Sequence, residues 1–565
     1  MSTEWPLRIT RSGDSDNTAQ ADLSRPPDLE NPELAERLEA FAALLDLAGA
    51  NPYGVRAYRR AAALVRATPV PVAGLVRSGR VRELRGIGPG IEGKLRELVQ
   101  TGEIAELAEL ERTVSPQLVG LGRLLGLSAK RAAEIGRVLG IRTADELREA
   151  AREGRLTEVP GIGPKTAERV LSALERGPEA VPPRSILLNR SRPLVESVAE
   201  AVGATASGDP RRWRDTSERL AVVCADDEAT AATGRFEEHP SIVAIVERTE
   251  GGAVGVTVDG IPIELMVAPP ERFGTELVRA TGSKGYVDAL EPLPAAPDEA
   301  GVYRKLGIPF CPPELREEPF SGEPPRLLGL SDVRGDLHCH TTWSDGRASV
   351  LEMGLAARNR GYEYLAICDH TVAVRVVPGL DADAIRRQGE EIAAANEELA
   401  PFRVLRGAEC DILPDGSLDL PDDVLSELEW VMASLHAGQR RPRRELTEQV
   451  VEAVRNPFTS ALSHPTGRLI NHRPPNALDL DEVFAAAVET GTALEVNGLP
   501  DRLDLNGENV KRAIAAGVRI VVSTDAHSIA GLGNMELAVA TARRGGASAA
   551  DVVNTRPLSE VLQEV

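Results

Sequence analysis

The stretch GDLHCHTTWSDG (335–346) decides the reading of this chain. A short apolar run carries His338 and His340 two residues apart. Side chains alternate along a strand, so both imidazoles share one face. The stretch IVVSTDAH (520–527) repeats the device with Asp525 and His527. Five further runs lie between them: YLAICDH (364–370), VLRGAECD (404–411), WVMASLH (430–436), TSALSH (459–464) and TALEVNG (492–498). Six of the seven end in, or lead straight to, an ionisable residue. Helical stretches separate them, which predicts a parallel α/β sheet or barrel from about 331 to the end. An α/β barrel carries its active site where such residues gather, at the C-terminal ends of its strands.

Seven of the eight histidines fall in the last 230 residues, and His338, His340, His370, His436, His464 and His527 occupy these strand ends. Asp345, Asp369, Glu409 and Asp525 accompany them. Imidazole and carboxylate are ligands for Zn, Mn and Fe. So many on one rim imply more than one metal ion. His472 lies eight residues beyond His464 and is not counted as a ligand. Asp369, beside His370, is a candidate to orient a ligand from behind. Arg375 and Arg468 follow ligand motifs closely and are candidates for phosphate contact.

The 565 residues predict three to four domains at roughly 150 residues each. Hydrophobic residues make up 42%, charged residues 27% and aromatics 3%, so aliphatic side chains must build the cores. No run of uncharged apolar residues is long enough for a membrane helix, and the N-terminus shows no apolar signal-peptide centre. Five cysteines without paired spacing point to a reducing cytosol. The net charge of −21 argues against a simple nucleic-acid coat. Residues 51–100 nevertheless hold ten basic and three acidic residues, a local +7 that suits a phosphate backbone.

Composition divides the chain into a disordered tail (1–30), a helical DNA-binding domain (31–100), a second helical domain (101–180), an α+β domain (185–290), a thin Pro- and Glu-rich connection (291–330) and the α/β domain (331–565). A linker reads at VPPR (181–184). In the helical part, LRGIGPGIEGKLREL (84–98) and VPGIGPKTAERVLSAL (159–174) share Gly-Ile-Gly before an amphipathic helix. Gly86, Gly88, Gly161 and Gly163 allow the tight turn and leave backbone N–H groups free for a phosphate, with Lys165 alongside. LLGLSAKRAAEIG (124–136) looks like a decayed third copy.

The barrel motifs resemble the PHP phosphoesterase superfamily, a distorted (β/α)7 barrel. The resemblance implies nine metal ligands: His338, His340, Asp345, His370, Glu409, His436, His464, Asp525 and His527. It implies two to three divalent ions (Mn, Zn or Fe), with metal-bound hydroxide as the nucleophile. It groups His338, His340, Glu409 and Asp525 on one ion. Glu409 would bridge to a second ion held with His436 and His464, and Asp345, His370 and His527 would hold a third. The two Gly-Ile-Gly segments resemble helix-hairpin-helix motifs, which grip nucleic-acid backbone without reading sequence. With NPYGVRAYRRAA (51–62) and the α+β segment, nearly the whole chain resembles bacterial family X DNA polymerases that end in a PHP domain. In the polymerase-β branch a hairpin-helix lysine forms a Schiff base in deoxyribose-phosphate removal. Lys94 falls there, beside Arg85 and Arg96, whose charges would favour the lowered pKa that role needs.

The palm departs from that pattern. The three aspartates that hold Mg²⁺ in such polymerases fall on Arg219, Ala221 and Glu264, and the nucleotide-binding Gly-Ser reads Gly208-Asp209. An anion there should repel a triphosphate. TGSK (281–284) survives, while the thumb after it reads as shortened. A shifted register using Asp226, Asp227 or Asp259 is the alternative. The expectation is therefore a cytoplasmic DNA-repair protein that binds DNA ends, gaps or nicks and involves no membrane. Its PHP barrel would act as a 3′→5′ exonuclease, with 3′-phosphatase or abasic-site cleavage as further activities, and its palm would be inactive. The rivals are a working family X polymerase, a histidinol-phosphatase-like enzyme and a non-catalytic DNA scaffold.

Overall fold

Helix formers punctuated by Gly and Pro fill the first third of the chain, and among the described residues before Ser185 no strand forms. The computed structural model describes residues 29, 31–47, 50–68, 71–84, 86–107, 127, 129–176, 185–226, 229–319, 322–375 and 377–563. The expected tail (apart from Leu29), the 181–184 linker, Arg85 and Asp227 lie outside these. The described part of the third hairpin-like segment is Leu127 and the start of helix Ala129–Leu139. The chain divides into two compact units, one of residues 1–119, 128–142 and 158–161, the other of 120–127, 143–157 and 162–565.

In the first unit, Leu34, Leu38, Phe41, Val65, Leu95 and Leu98 share one buried cluster. They come from helices Asn31–Leu47, Pro52–Ala67 and Pro89–Thr101. Phe41 meets Tyr58 edge-on at 4.9 Å, the preferred aromatic geometry. The first hairpin runs from helix Val72–Arg77 through the 3-10 turn Val81–Glu83 to helix Pro89–Thr101. Gly86 takes φ +110°, which a side chain would resist. Gly88 caps the second helix, and Pro89 opens it where a missing N–H costs nothing. The same succession recurs in Ala144–Arg152, Arg155–Glu158 and Pro164–Arg176, with Gly161 at φ +82°.

The second unit contains the α+β domain. A short ribbon pairs β1 (Ile186–Leu187) with β3 (Thr216–Ser217). The main sheet holds β2 (Ala204–Ser207), β4 (Leu220–Ala225), β5 (Ile242–Thr249), β6 (Gly252–Thr257) and β7 (Pro262–Ala268) in the order 2-4-7-6-5. Helices Leu188–Val202 and Ala229–Glu238 bury Val195, Val198 and Phe236 against it.

The segment 291–330 differs from the expected thin connection. Helix Glu299–Leu306 packs Val302 and Tyr303 against Val278, Tyr286 and Val287. The Tyr286 and Tyr303 hydroxyls meet at 2.8 Å. Arg316 is fully buried and donates to Glu299 and to the Cys311 carbonyl. Pro and Glu content masked this core, because the glutamates are partners of buried arginines. No strand occurs among its described residues.

All seven strands expected in the C-terminal domain form: β8 (Gly335–Cys339), β9 (Tyr364–Ile367), β10 (Arg403–Asp411), β11 (Trp430–Ser434), β12 (Ala461–Leu462), β13 (Ala493–Asn497) and β14 (Ile520–Ser523). They lie parallel in chain order, and a bridge from Cys339 to Ala526 nearly closes the barrel. The β8–β9 ladder shifts register between Asp336 and Cys339, the stretch that carries His338. Leu405, Trp430, Met432, Ala461, Ala493 and Val521 form one interior cluster. Residues of the other parity, such as Val431, Leu462, Leu494 and Val522, pack with the surrounding helices. Following the interior parity towards the C-terminal ends gives Glu409, Ser434, Ser463, Glu495 and Ser523.

The α+β domain is tied to the barrel through Asp215. Its carboxylate meets Arg544 Nη1 at 2.6 Å and Arg468 Nη2 at 2.7 Å. Burial raises the Asp215 pKa, but the two guanidiniums outweigh it and hold the group below its usual value. Asp215→Ala strands two mostly buried arginines and should lower unfolding free energy by about 3 kcal/mol near pH 7. Because the native pKa is depressed, this contribution is complete above about pH 4 and drains away as pH falls further. Urea unfolding of wild type and variant at pH 7.5 and 3.5 measures it, and equal stability at pH 7.5 would refute the clamp.

Candidate metal centre

The strand ends bring all nine sequence-assigned ligands to one rim. His338, His340, His370, Glu409, His464 and Asp525 are buried, and Asp345, His436 and His527 edge towards solvent. One ligand atom from each of His340, Asp345, His370 and His527 lies within 4.8 Å of the others, and the same holds for His338, His340 and Asp525 and for His370, Glu409 and His436. His464 Nε2 approaches Glu409 Oε1 at 3.0 Å. Glu409 thus sits at the centre, as a bridging ligand would. The grouping differs from the one the resemblance implied, because His370 Nδ1 is 2.8 Å from Glu409 Oε2 and joins two groups. His464 (φ +24°) and Asp525 (φ +51°) both occupy the left-handed region, a strain tolerated where function demands the side-chain direction.

These residues fit divalent cations. His340 Nδ1, His370 Nδ1 and Glu409 Oε2 are buried without a hydrogen-bond partner, although the last two nearly touch. Such orphaned acceptors are costly unless a cation joins them. The charges are polarised in the same sense. Burial raises Glu409 and Asp525, but the surrounding imidazoles outweigh it and hold both carboxyls well below their usual range. Burial pulls His340 down to about 4 against its hydrogen bond to Asp525, leaving a neutral imidazole suited to ligation. His527 goes the other way, to about 9, because Asp345 and Asp525 overcome its burial.

A layer behind the ligands was not assigned from sequence. Glu495 is fully buried on β13 and accepts from His338 Nδ1 at 2.7 Å. It also accepts from the backbone N–H of His464 and from Ser463 and Ser523. Asp411 accepts from His436 Nδ1 at 3.0 Å. The signal was present, since both are carboxylates of interior parity beyond apolar residues. Asp369 touches no ligand ring. It accepts from Thr341, Ser344 and Gln388, which fixes the loop carrying Asp345.

The candidate phosphate contacts fare differently. Arg468 donates to the carbonyls of Arg502 and Leu503 and pairs with Asp215, so its guanidinium is spent as a clamp. Adjacency to His464 in sequence misled, because the loop turns the side chain away. Arg375 is exposed at φ +60° after the turn Val372–Val374. Arg502, unassigned from sequence, stands 3.9 Å from Asp525 and lowers the His464 pKa after burial. His472 is exposed and belongs to no ligand group.

In the first unit Lys94 pairs with Glu106 at 2.9 Å and Glu97 at 3.5 Å. Burial pulls its pKa down, but the two glutamates hold it above the ordinary value. That is the opposite of the shift a Schiff-base lysine needs, and Arg96 is engaged with Glu92 at 2.5 Å. Lys165 stands exposed at the start of its helix.

In the palm, Ala221 pairs in register with Glu264 across β4 and β7, and Arg219 is exposed just before β4. Asp209 does not stand as a bare anion. It pairs with Arg212 at 2.5 Å and Arg214 at 3.6 Å, and Glu317 binds the same two arginines. The repulsion expected of Asp209 is replaced by an internal ion-pair lattice. Asp259 pairs with Arg190 at 2.6 Å. No group of three metal-ligating side chains occurs in this domain among the described residues.

Models of two families match the chain, the helix-hairpin-helix domain over residues 29–104 and the SAM-like helix-hairpin-helix tandem over 120–176. The chain is 33% identical over 563 residues to the DNA polymerase/3'-5' exonuclease PolX of Bacillus subtilis, covering 94% of this chain and 98% of that protein. Its C-terminal part is similar to proteins named "Probable phosphatase". Identity is 32% over 201 residues with that of Acetivibrio thermocellus and 30% over 216 residues with that of Photobacterium profundum. These matches cover 34% and 36% of this chain and 78% and 81% of the relatives.

Glu495→Gln keeps the shape but removes the charge that orients His338, and should weaken metal affinity about 10- to 100-fold. Titrating Mn²⁺ into metal-free wild type and variant measures this. An unchanged affinity would show that Glu495 has no such role.

Proposed function

The chain belongs to the PolX family of DNA polymerase/3'-5' exonucleases, and we propose that its barrel removes nucleotides from DNA 3′ ends while its palm no longer polymerises. The observation that carries the first half is the gathering of nine imidazole and carboxylate side chains at one rim, five of the imidazoles within 4 Å of Glu409, with buried acceptors left open. The metal set is two to three ions, with Mn²⁺ the activating one. When bound, divalent ions activate water and neutralise charge on the phosphate under attack. The chain's own groups do the rest. Glu495 and Asp411 hold His338 and His436 in one tautomer. Asp369 fixes the Asp345 loop, and Arg502 presents a guanidinium beside Asp525, placed for a phosphate oxygen.

The register of Ala221 with Glu264, and the arginine–carboxylate lattice around Asp209, support loss of polymerisation. Among its described residues the palm gathers no group of three metal-ligating side chains, and without one it lacks the means to hold two Mg²⁺ against a triphosphate. The helix-hairpin-helix elements then serve to hold DNA ends, gaps or nicks through backbone phosphates, by way of Gly86, Gly88, Gly161, Gly163 and Lys165. No helix among the described residues is long and apolar enough to cross a membrane. The cytoplasm, where the DNA substrate lies, is the proposed location. Similarity to phosphatases favours a second substrate for the same centre, the 3′-phosphate monoester.

A 5′-labelled primer on a recessed template, with Mn²⁺ and all four dNTPs, separates the two halves. Wild type should shorten the primer and His338→Ala should leave it intact. Extension by both proteins would show a working palm, and an intact primer with wild type would refute the nuclease.

A further inference from the structure

A cavity of about 500 Å³ opens beside the metal centre, lined by His436, Gly438, Gln439, Arg440 and Arg441. His436 belongs to the ligand set, so the cavity begins where the reaction site ends. The two arginines differ in how they are held. Arg441 is half-buried and donates Nη1 to the Pro414 carbonyl at 2.9 Å and to Gln449 Oε1 at 3.2 Å. Both acceptors are neutral, so its charge is fixed in place without being cancelled. Gly438 permits this at φ +74°, because a Cβ there would approach Arg441 Nε to 3.3 Å. Arg440 is exposed, and no hydrogen bond or ion pair engages it among the described residues.

The neighbouring arginines set the contrast. Arg443 is paired with Asp479 and Arg444 with Glu448, each at 2.8 Å. Two guanidiniums that no carboxylate among the described residues engages thus stand side by side in a chain of net charge −21. Together they create a local attraction for anions at the mouth of the centre. The volume falls within the roughly 300–1,000 Å³ of ligand pockets, which is more room than one phosphate group requires. Four residues of chain span at most about 14 Å, so Arg440 stays close to His436.

We propose that this cavity seats the phosphodiester next to the one being hydrolysed, with Arg441 as a fixed wall and Arg440 as the contact that closes on the strand. The ligand class is the backbone of a nucleic-acid strand. A small monoester would reach the metal ligands and leave the cavity empty, whereas a strand fills both. The inference rests on the phosphodiesterase reading of the barrel and deepens it, giving the same centre a means of preferring polymers.

The test compares Arg440→Ala with wild type, both as full chains with Mn²⁺. One substrate is a 5′-labelled oligonucleotide and the other is the p-nitrophenyl ester of thymidine 5′-monophosphate, which has one phosphodiester and no flanking phosphate. The ratio of oligonucleotide to ester kcat/KM should fall about tenfold, mostly through KM, and the salt slope of oligonucleotide binding should drop by about one. Equal losses on both substrates would place Arg440 at the scissile phosphate and overturn the assignment, as would no loss on either. A wild type inert on both esters would overturn the nuclease reading itself, and this site with it.

Discussion

Buried charge at the C-terminal end of the barrel is the constraint on which the rest of the second unit depends. Glu409, Asp525 and Glu495 lie almost wholly out of water, packed against His338, His340 and His464. Two like charges 4 Å apart repel by about 4 kcal/mol at an effective dielectric of 20. Three carboxylates can share this space only if cations, protons or hydrogen bonds compensate them. Two serine hydroxyls, the His464 backbone N–H and the His338 ring satisfy Glu495, and Asp525 is bound by His340 and Asn497. Glu409 keeps an oxygen open towards the ligand cluster. The barrel supplies this arrangement by interior parity, with apolar residues below and carboxylates, histidines and serines above.

Much of this was legible from residue types and spacing. Seven apolar runs gave seven strands, and the histidines at their ends met at one rim. What stayed hidden was direction. Glu495 sits in an apolar strand, and its role follows only once the parity of Ala493 is known to point inward. Arg468 follows a ligand by four residues, yet its guanidinium turns to Asp215, some 250 positions earlier in the chain. Lys94 occupies the expected place on its helix, but Glu97 and Glu106 give it the wrong charge environment. Side-chain directions and pairings decide these cases, near in sequence for Lys94 and far for Arg468, and residue-type patterns do not record them.

The α+β domain shows the same physics with the opposite outcome. At the barrel rim acids meet imidazoles and leave acceptors open. In the palm, acids meet arginines and close. Asp209, Arg212, Arg214 and Glu317 pair with one another, and Glu299 pairs with both Arg211 and Arg316. Such a lattice stiffens the domain and, through Asp215, joins it to the loop that carries His464.

The most direct test of the account is the metal content of chain purified without chelator, measured with its melting temperature before and after metal removal. The account predicts about two to three equivalents of divalent metal. It also predicts a clear fall in melting temperature once the ions that compensate Glu409 and Asp525 are gone. A chain that carries no metal and melts at the same temperature with and without chelator would contradict it.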